Sequence, residues 1–201
     1  MGVPLSDEAL DTIFLSARSY NGWLDKDVSE DQLREIFDLA KMGPTSANQQ
    51  SLRVVWCKSS AAKQRLAQHA GENNRSKIIT APVCAILAMD VEFHEQLPWL
   101  FPHTDARSWF AGDSAERRAV RREHAFRNAT LQAAYLMIAA RALGLDCGPM
   151  SGFDNAAVDA DFFGDKPNLK SNFICSIGYG DPSSIFGRSP RPDFEKFNQV
   201  L

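Results

Sequence analysis

Three arginines, Arg18, Arg188 and Arg191, and one lysine, Lys77, stand in this sequence among runs of small polar residues. The runs are Ala17–Trp23, Gly43–Asn48, Asn73–Lys77, Pro149–Asp154 and Gly187–Arg191, and each lies at the end of a better-patterned stretch. Guanidinium groups suit a phosphate, hydroxyls and amides suit a polyol and the edge of a ring, and an ammonium suits an anion. Taken singly, each has an ordinary explanation as a solvated charge, a turn or a helix cap. Their joint presence is what asks for chemistry.

Other chemistries fail on spacing. Gly178-Tyr179-Gly180 begins like a dinucleotide fingerprint, but Ser183 takes the third glycine position, so it reads as a strand-ending turn. Gly148-Pro149-Met150-Ser151-Gly152 carries its serine fourth, not third, and so is no nucleophile elbow. His94-Glu95 opens a zincin pattern that Pro98 closes, and no metal site is expected. Cys57, Cys84, Cys147 and Cys175 lie far apart with no C-x-x-C pair, which favours buried thiols.

The elements that must position these residues follow from capping and periodicity. Ser6 caps a first helix with Leu10, Ile13, Phe14 and Ala17 in register, and Ser29 with Gln32 forms a capping box ahead of Leu33, Ile36, Phe37 and Ala40. Gly43-Pro44 is expected to stop that helix, the glycine through a left-handed cap. Strands are expected over 53–57, 81–89 and 173–177, a polar helix from Ser59 or Ser60 to about Ala70, and a long helix from Ala115 to Leu143, stopped by Gly144. The second half of the long helix is apolar nearly all round, which calls for cover by its own domain or a partner subunit. Arg117, Arg118, Arg121 and Arg122 read as its solvated face. Residues 92–113 fit no pattern, and the tail with Phe194, Phe197, Val200 and Leu201 suits packing on a neighbour.

With 201 residues, 44% hydrophobic and 23% charged, the chain reads as one α+β domain spanning 1–201, with no linker or repeat. A formal net charge of −3 gives no basic field for nucleic acid. The longest apolar run, about nine residues from Ala81 to Met89, is far short of the roughly 20 of a membrane helix. The N-terminus lacks a basic and an apolar signal region, so a cytoplasmic protein is expected.

The inventory of phosphate, polyol and ring contacts is the one a bound flavin mononucleotide (FMN) needs. The order of the motifs resembles the nitroreductase-like flavoprotein family along nearly the whole chain: Arg18-Ser19 near the start, Pro44-Thr45-Ser46-Ala47-Asn48 after the second helix, Asn74 and Lys77 before a buried strand, Pro149 to Gly152 after the long helix. The stretches Gly43–Asn48, Leu100–Phe110 and Gly148–Asp154 are similar to the branch that reduces malonic semialdehyde. The resemblance implies a central mixed sheet flanked by helices in an intertwined homodimer, with FMN as cofactor and NADPH or NADH as reductant in ping-pong turnover. Arg18 and Ser19 would meet the phosphate and ribityl chain, and Arg191 with Arg188 would clamp the phosphate. Lys77 would face the pyrimidine edge, with Asn74 three residues before it and Asn128 nearby. A backbone N–H in Pro149-Met150-Ser151-Gly152 would meet flavin N5, and Pro44, Thr45, Ser46 and Asn48 would come from the other subunit. His103 and Arg107 would orient a carboxylate substrate, or else form a self-satisfied loop in which Asp105 pairs with Arg107. A broad nitroaromatic or quinone reductase and a flavin-binding protein without turnover are the alternatives.

Overall fold

The structure, a computed structural model, describes residues 2–201. The helices begin where side-chain caps begin them. Ser6 accepts from the Ala9 N–H at the head of α1 (Asp7–Leu10), which runs on as a π-helical turn over Asp11–Leu15. Ser29 and Gln32 complete both arms of a capping box on α2 (Glu30–Ala40). Ser59 caps α3 (Ser60–Gln68) and Ser114 caps the 28-residue α6 (Ala115–Ala142), whose end is marked by Gly144 at φ 76°. Gly43 is different from expectation: its φ is not left-handed. Its role is steric, because a Cβ there would lie 2.7 Å from the ring of Tyr135.

Four strands, β1 (Leu52–Cys57), β2 (Val83–Asp90), β3 (Asp146–Met150) and β4 (Leu169–Gly178), form one sheet in the order β1-β2-β4-β3. Every ladder is antiparallel, so the expected mixed sheet is corrected. Among the described residues the single parallel pairing is an isolated bridge between Ser19 and Cys147. Strand β2 is buried along its whole length because alternate residues serve two layers. Val83, Ala85, Leu87 and Met89 pack with Leu33 and Ile36 of α2 and with Ala129, Ala133 and Leu136 of α6. Cys84, Ile86 and Ala88 face Leu66 of α3, Ile78 of α4 (Glu72–Thr80) and Val158 and Phe163 of α7 (Asn155–Phe163). Each fully buried Leu or Ile contributes about 1.5–3 kcal/mol of transfer free energy.

Helices α4 and α7 and strand β3 lie outside the sequence expectation. Strand β3 contains Gly148-Pro149, and the proline is tolerated because β3 is an edge strand. Between β2 and α6 the chain makes an excursion of short turns around α5 (Leu97–Leu100). One expected surface charge anchors it: Arg121 is only 2% exposed and donates to the Phe110 carbonyl at 3.0 Å, the Gly112 carbonyl at 2.6 Å and Glu92 at 3.1 Å. The tail carries a last short helix, α8 (Phe194–Phe197), and leaves Phe194, Phe197, Val200 and Leu201 exposed. No described helix is long and apolar enough to cross a membrane.

Candidate functional site

At the β3 edge, residues 16–23 are stitched to the sheet and to the C-terminal segment. The Tyr20 N–H donates to the Cys147 carbonyl at 3.1 Å, and Asn21 donates to the Ser184 carbonyl at 3.1 Å. Arg18 donates to the Phe186 carbonyl, and Arg188 returns the tie to the Leu15 carbonyl at 2.6 Å and that of Ala17 at 3.3 Å. Both guanidiniums therefore meet carbonyls and no carboxylate among the described residues, leaving paired positive charge beside exposed Ser19. Among the described residues Arg191 bonds only the carbonyls of Ser189 and Pro190, so it stays on the tail.

Strand β3 delivers a bare backbone to the same edge. The Gly152 carbonyl accepts from the Gly71 N–H at 2.9 Å and from Asn74 Nδ2 at 3.1 Å, while the Gly152 N–H donates to nothing among the described residues. A Cβ at Gly152 would lie 2.7 Å from Asn74 Nδ2, so any other residue there displaces the Asn74 amide. Met150 turns its side chain into the core, whereas Pro149 and Ser151 are exposed. Lys77 is half-buried, and its ammonium has no partner among the described residues. A cleft of about 480 Å³ lined by His69, Arg75, Gly152 and Asp154 opens alongside.

At the β1 edge lies a wall of another kind. Ala47, Asn48 and Gln50 hold φ of 50°, 48° and 43°, three left-handed non-glycine residues in four positions. An unbroken run of amides fixes them. The Leu52 N–H donates to Gln132 Oε1 at 3.0 Å, Gln132 Nε2 to Gln50 Oε1 at 2.5 Å, Gln50 Nε2 to Asn48 Oδ1 at 2.8 Å, and Asn48 Nδ2 to the Leu100 carbonyl at 2.8 Å. Thr45 Oγ1 accepts from the Gln50 N–H at 3.3 Å. Asn128, buried at 2% exposure, accepts from the Ser46 N–H at 2.8 Å and donates to the His124 carbonyl, so its amide is spent on its own chain's loop. The wall borders a cleft of about 660 Å³ lined by Phe37, Met42, Pro44, Asn48, Trp99 and Leu100, among others.

The excursion beyond this wall holds His103 and Arg107. His103 is exposed with its ring edge-on to Phe101. Arg107 makes two bonds of 2.8 Å to Glu95, which depresses the Glu95 carboxyl below its ordinary range. The expected alternative pairing with Asp105 is thereby corrected: Asp105 instead accepts from the Ser108 N–H as a cap. Behind them His94 is buried, and burial followed by the Arg121 charge pushes its imidazole below the usual value.

The expected site residues thus fall into two groups that do not meet within one chain. Arg18, Ser19, Asn74, Lys77, Gly152 and Arg188 gather at β3, whereas Thr45, Ser46 and Asn48 stand at β1, three strand spacings or about 14 Å across the sheet. The donor set at β3 fits FMN: uncompensated guanidiniums for a phosphate, a free ammonium for an electron-rich ring edge, and a glycine cradle that a Cβ would fill. Sequence reasoning missed Gln50, Gln132 and Trp23. Gln132 lies on the apolar stretch of α6, where a lone polar residue is a signal in itself.

Comparison with known proteins agrees with this architecture. Residues 15–179 match the model described as the Nitroreductase family. A protein of Burkholderia lata, named as a candidate NADH dehydrogenase/NAD(P)H nitroreductase, is 54% identical over 196 residues that cover 98% of each chain. The chain belongs to the nitroreductase family. Its α+β fold is that of nitroreductase structures. A candidate nitroreductase from Exiguobacterium sibiricum, solved in complex with FMN, has a TM-score of 0.84 at 19% identity over 100% of both chains. An enone reductase of gut-bacterial fatty acid saturation has a TM-score of 0.83 at 16% identity, covering 98% of this chain and 100% of that one. At those identities the likeness is one of fold.

Proposed function

We propose that this chain is an FMN-dependent NAD(P)H oxidoreductase acting as a homodimer, with malonic semialdehyde as its acceptor and 3-hydroxypropanoate as its product. The observation that carries the flavin reading is the β3 edge, where Arg18, Arg188 and Lys77 have no acidic partner among the described residues around the bare Gly152 backbone. When bound, FMN supplies hydride exchange between a nicotinamide and a second substrate. Arg18 and Arg188, with Arg191 drawn in from the tail, hold the phosphate, and Ser19 bonds the polyol. Lys77 keeps a positive charge at the pyrimidine edge, where a reduced ring is electron-rich. The Gly152 N–H is free to donate to the ring, and Asn74 holds the peptide that follows it through the Gly152 carbonyl. Thr45, Ser46 and Asn48 of the partner subunit close the pocket and exclude water. The separation of the two groups across the sheet supports the dimer, as do the exposed Phe126, Leu131 and Tyr135 on α6.

A second acceptor class, nitroaromatics and quinones, is favoured by one observation. The cleft at the wall is floored by Phe37, Met42, Leu52, Trp99 and Leu100, and Arg107 is already engaged by Glu95, so a flat apolar acceptor fits there too. One titration separates these readings. The FMN-loaded protein is bleached anaerobically with NADH or NADPH, and malonic semialdehyde or a nitroaromatic is then added. Recovery of the flavin band with the semialdehyde supports the proposal. Recovery with the nitroaromatic alone replaces the acceptor, and absence of bleaching leaves a flavin-binding protein without turnover.

A further inference from the structure

Trp23 sits in no regular element, yet the sheet is cut to receive it. Gly148 pairs with Ser176 across β3 and β4, and Gly178 lies two residues further on, so the three share one face. A Cβ at Gly148 would come within 3.2 Å of Trp23 Cζ2 and 2.5 Å of the Tyr20 carbonyl oxygen. One at Gly178 would come within 3.2 Å of Trp23 Cε3 and 2.4 Å of Pro82 Cγ. The indole thus lies in a slot that two absent side chains leave open. From the slot, Trp23 Nε1 donates to the Lys77 carbonyl at 3.2 Å, and Ser176 Oγ donates to the same oxygen at 3.1 Å.

That oxygen belongs to the last turn of α4, where carbonyls have no following N–H to accept. Two donors from outside the helix therefore settle where the backbone of Lys77 stands relative to β3 and β4. One turn earlier, Asn74 of the same helix bonds the Gly152 carbonyl. Helix α4 is thus held at Lys77 to Trp23 and β4, and at Asn74 to Gly152 just beyond β3.

We propose that Trp23 is a positioning residue for the flavin site, acting through the Lys77 carbonyl to fix the Lys77 ammonium, with Ser176 as its second support. The inference rests on the flavin reading above. It concerns charge on the reduced ring, which Lys77 stabilises more than it stabilises the neutral oxidised ring. Loss of the Trp23 bond therefore weakens binding of reduced FMN more than binding of oxidised FMN. A purely structural loss would weaken both alike.

The test measures the Kd of oxidised and of anaerobically reduced FMN for the wild type, Trp23→Phe, Ser176→Ala, Lys77→Gln and the double variant Trp23→Phe/Lys77→Gln. Trp23→Phe keeps a ring in the slot and removes the N–H, and Ser176→Ala is a milder probe of the same carbonyl. The expected result is a fall in the preference for reduced FMN, largest for Lys77→Gln and about two- to tenfold for Trp23→Phe, the range one neutral hydrogen bond supplies. Ser176→Ala shifts it in the same direction, and the double variant matches Lys77→Gln alone because both act through one group. A wild-type preference in Trp23→Phe and Ser176→Ala beside a lowered one in Lys77→Gln overturns the inference and leaves the flavin reading standing. So does additivity in the double variant. A wild type that binds no FMN overturns both.

Discussion

The two outer strands of the sheet solve opposite problems. Around β3, Arg18, Arg188 and Lys77 carry charge that no carboxylate among the described residues pairs with, and the backbone is glycine where it must be approached closely. Around β1 the wall is held by the neutral amides of Gln132, Gln50 and Asn48, each donating with its nitrogen and accepting with its oxygen, and the backbone is strained at Ala47, Asn48 and Gln50. Charge can be left open where water reaches it until a ligand arrives. Shape cannot be left open, because left-handed residues cost of order 1–3 kcal/mol each and must be held by bonds already made. One edge is built for attraction and the other for form.

Breaking the charged edge should have the largest effect. Arg18→Ala is expected to weaken FMN binding by about 10- to 100-fold, the scale of a lost charge-assisted bond, with little change in thermal stability, and flavin fluorescence titration reads it. The amide edge should respond the other way round. Gln132 is 3% exposed, so Gln132→Leu strands the Leu52 N–H and Gln50 Oε1 and should cost about 1–3 kcal/mol in denaturant unfolding. If Gln132→Leu instead leaves stability intact and abolishes flavin binding, the contrast between the edges is wrong. The smallest effect belongs to His94, behind the excursion. Its imidazole is held below the ordinary value of 6.5, so the fold prefers the neutral ring. That contribution is complete above pH 6.5 and is lost as the pH falls from there through the lower folded value. Melting curves from pH 7.5 to 5 should show the wild type losing stability on acidification, with a shallower slope in His94→Asn.

Much of the scaffold was legible because local rules and tertiary packing agree there. The capping box at Ser29 and Gln32, the strand at Leu52–Cys57 and the stop at Gly144 each follow from a few neighbouring residues. Helix α4 was not legible, since Asn73-Asn74-Arg75-Ser76-Lys77 has neither an apolar stripe nor a side-chain cap. Strand β3 was hidden because Gly148-Pro149 reads as a turn, and only its edge position makes it a strand. Arg121 was misread as a surface charge, because carbonyls of the irregular segment just before α6 offset its burial and no spacing along α6 reveals them. At the candidate site, the charged residues stand out by their types, whereas the positions of Gln132 and Trp23 come from contacts across many residues of chain.

The separation of the two edges also bears on how defects combine. If each pocket takes β3 from one subunit and the wall from its partner, a chain damaged only at the wall and another damaged only at β3 are both inactive alone. In a mixed pair, one pocket inherits both lesions and the other inherits neither. With random pairing, about a quarter of all pockets would then regain the wild-type set of residues. Two recessive alleles of this one gene would complement each other.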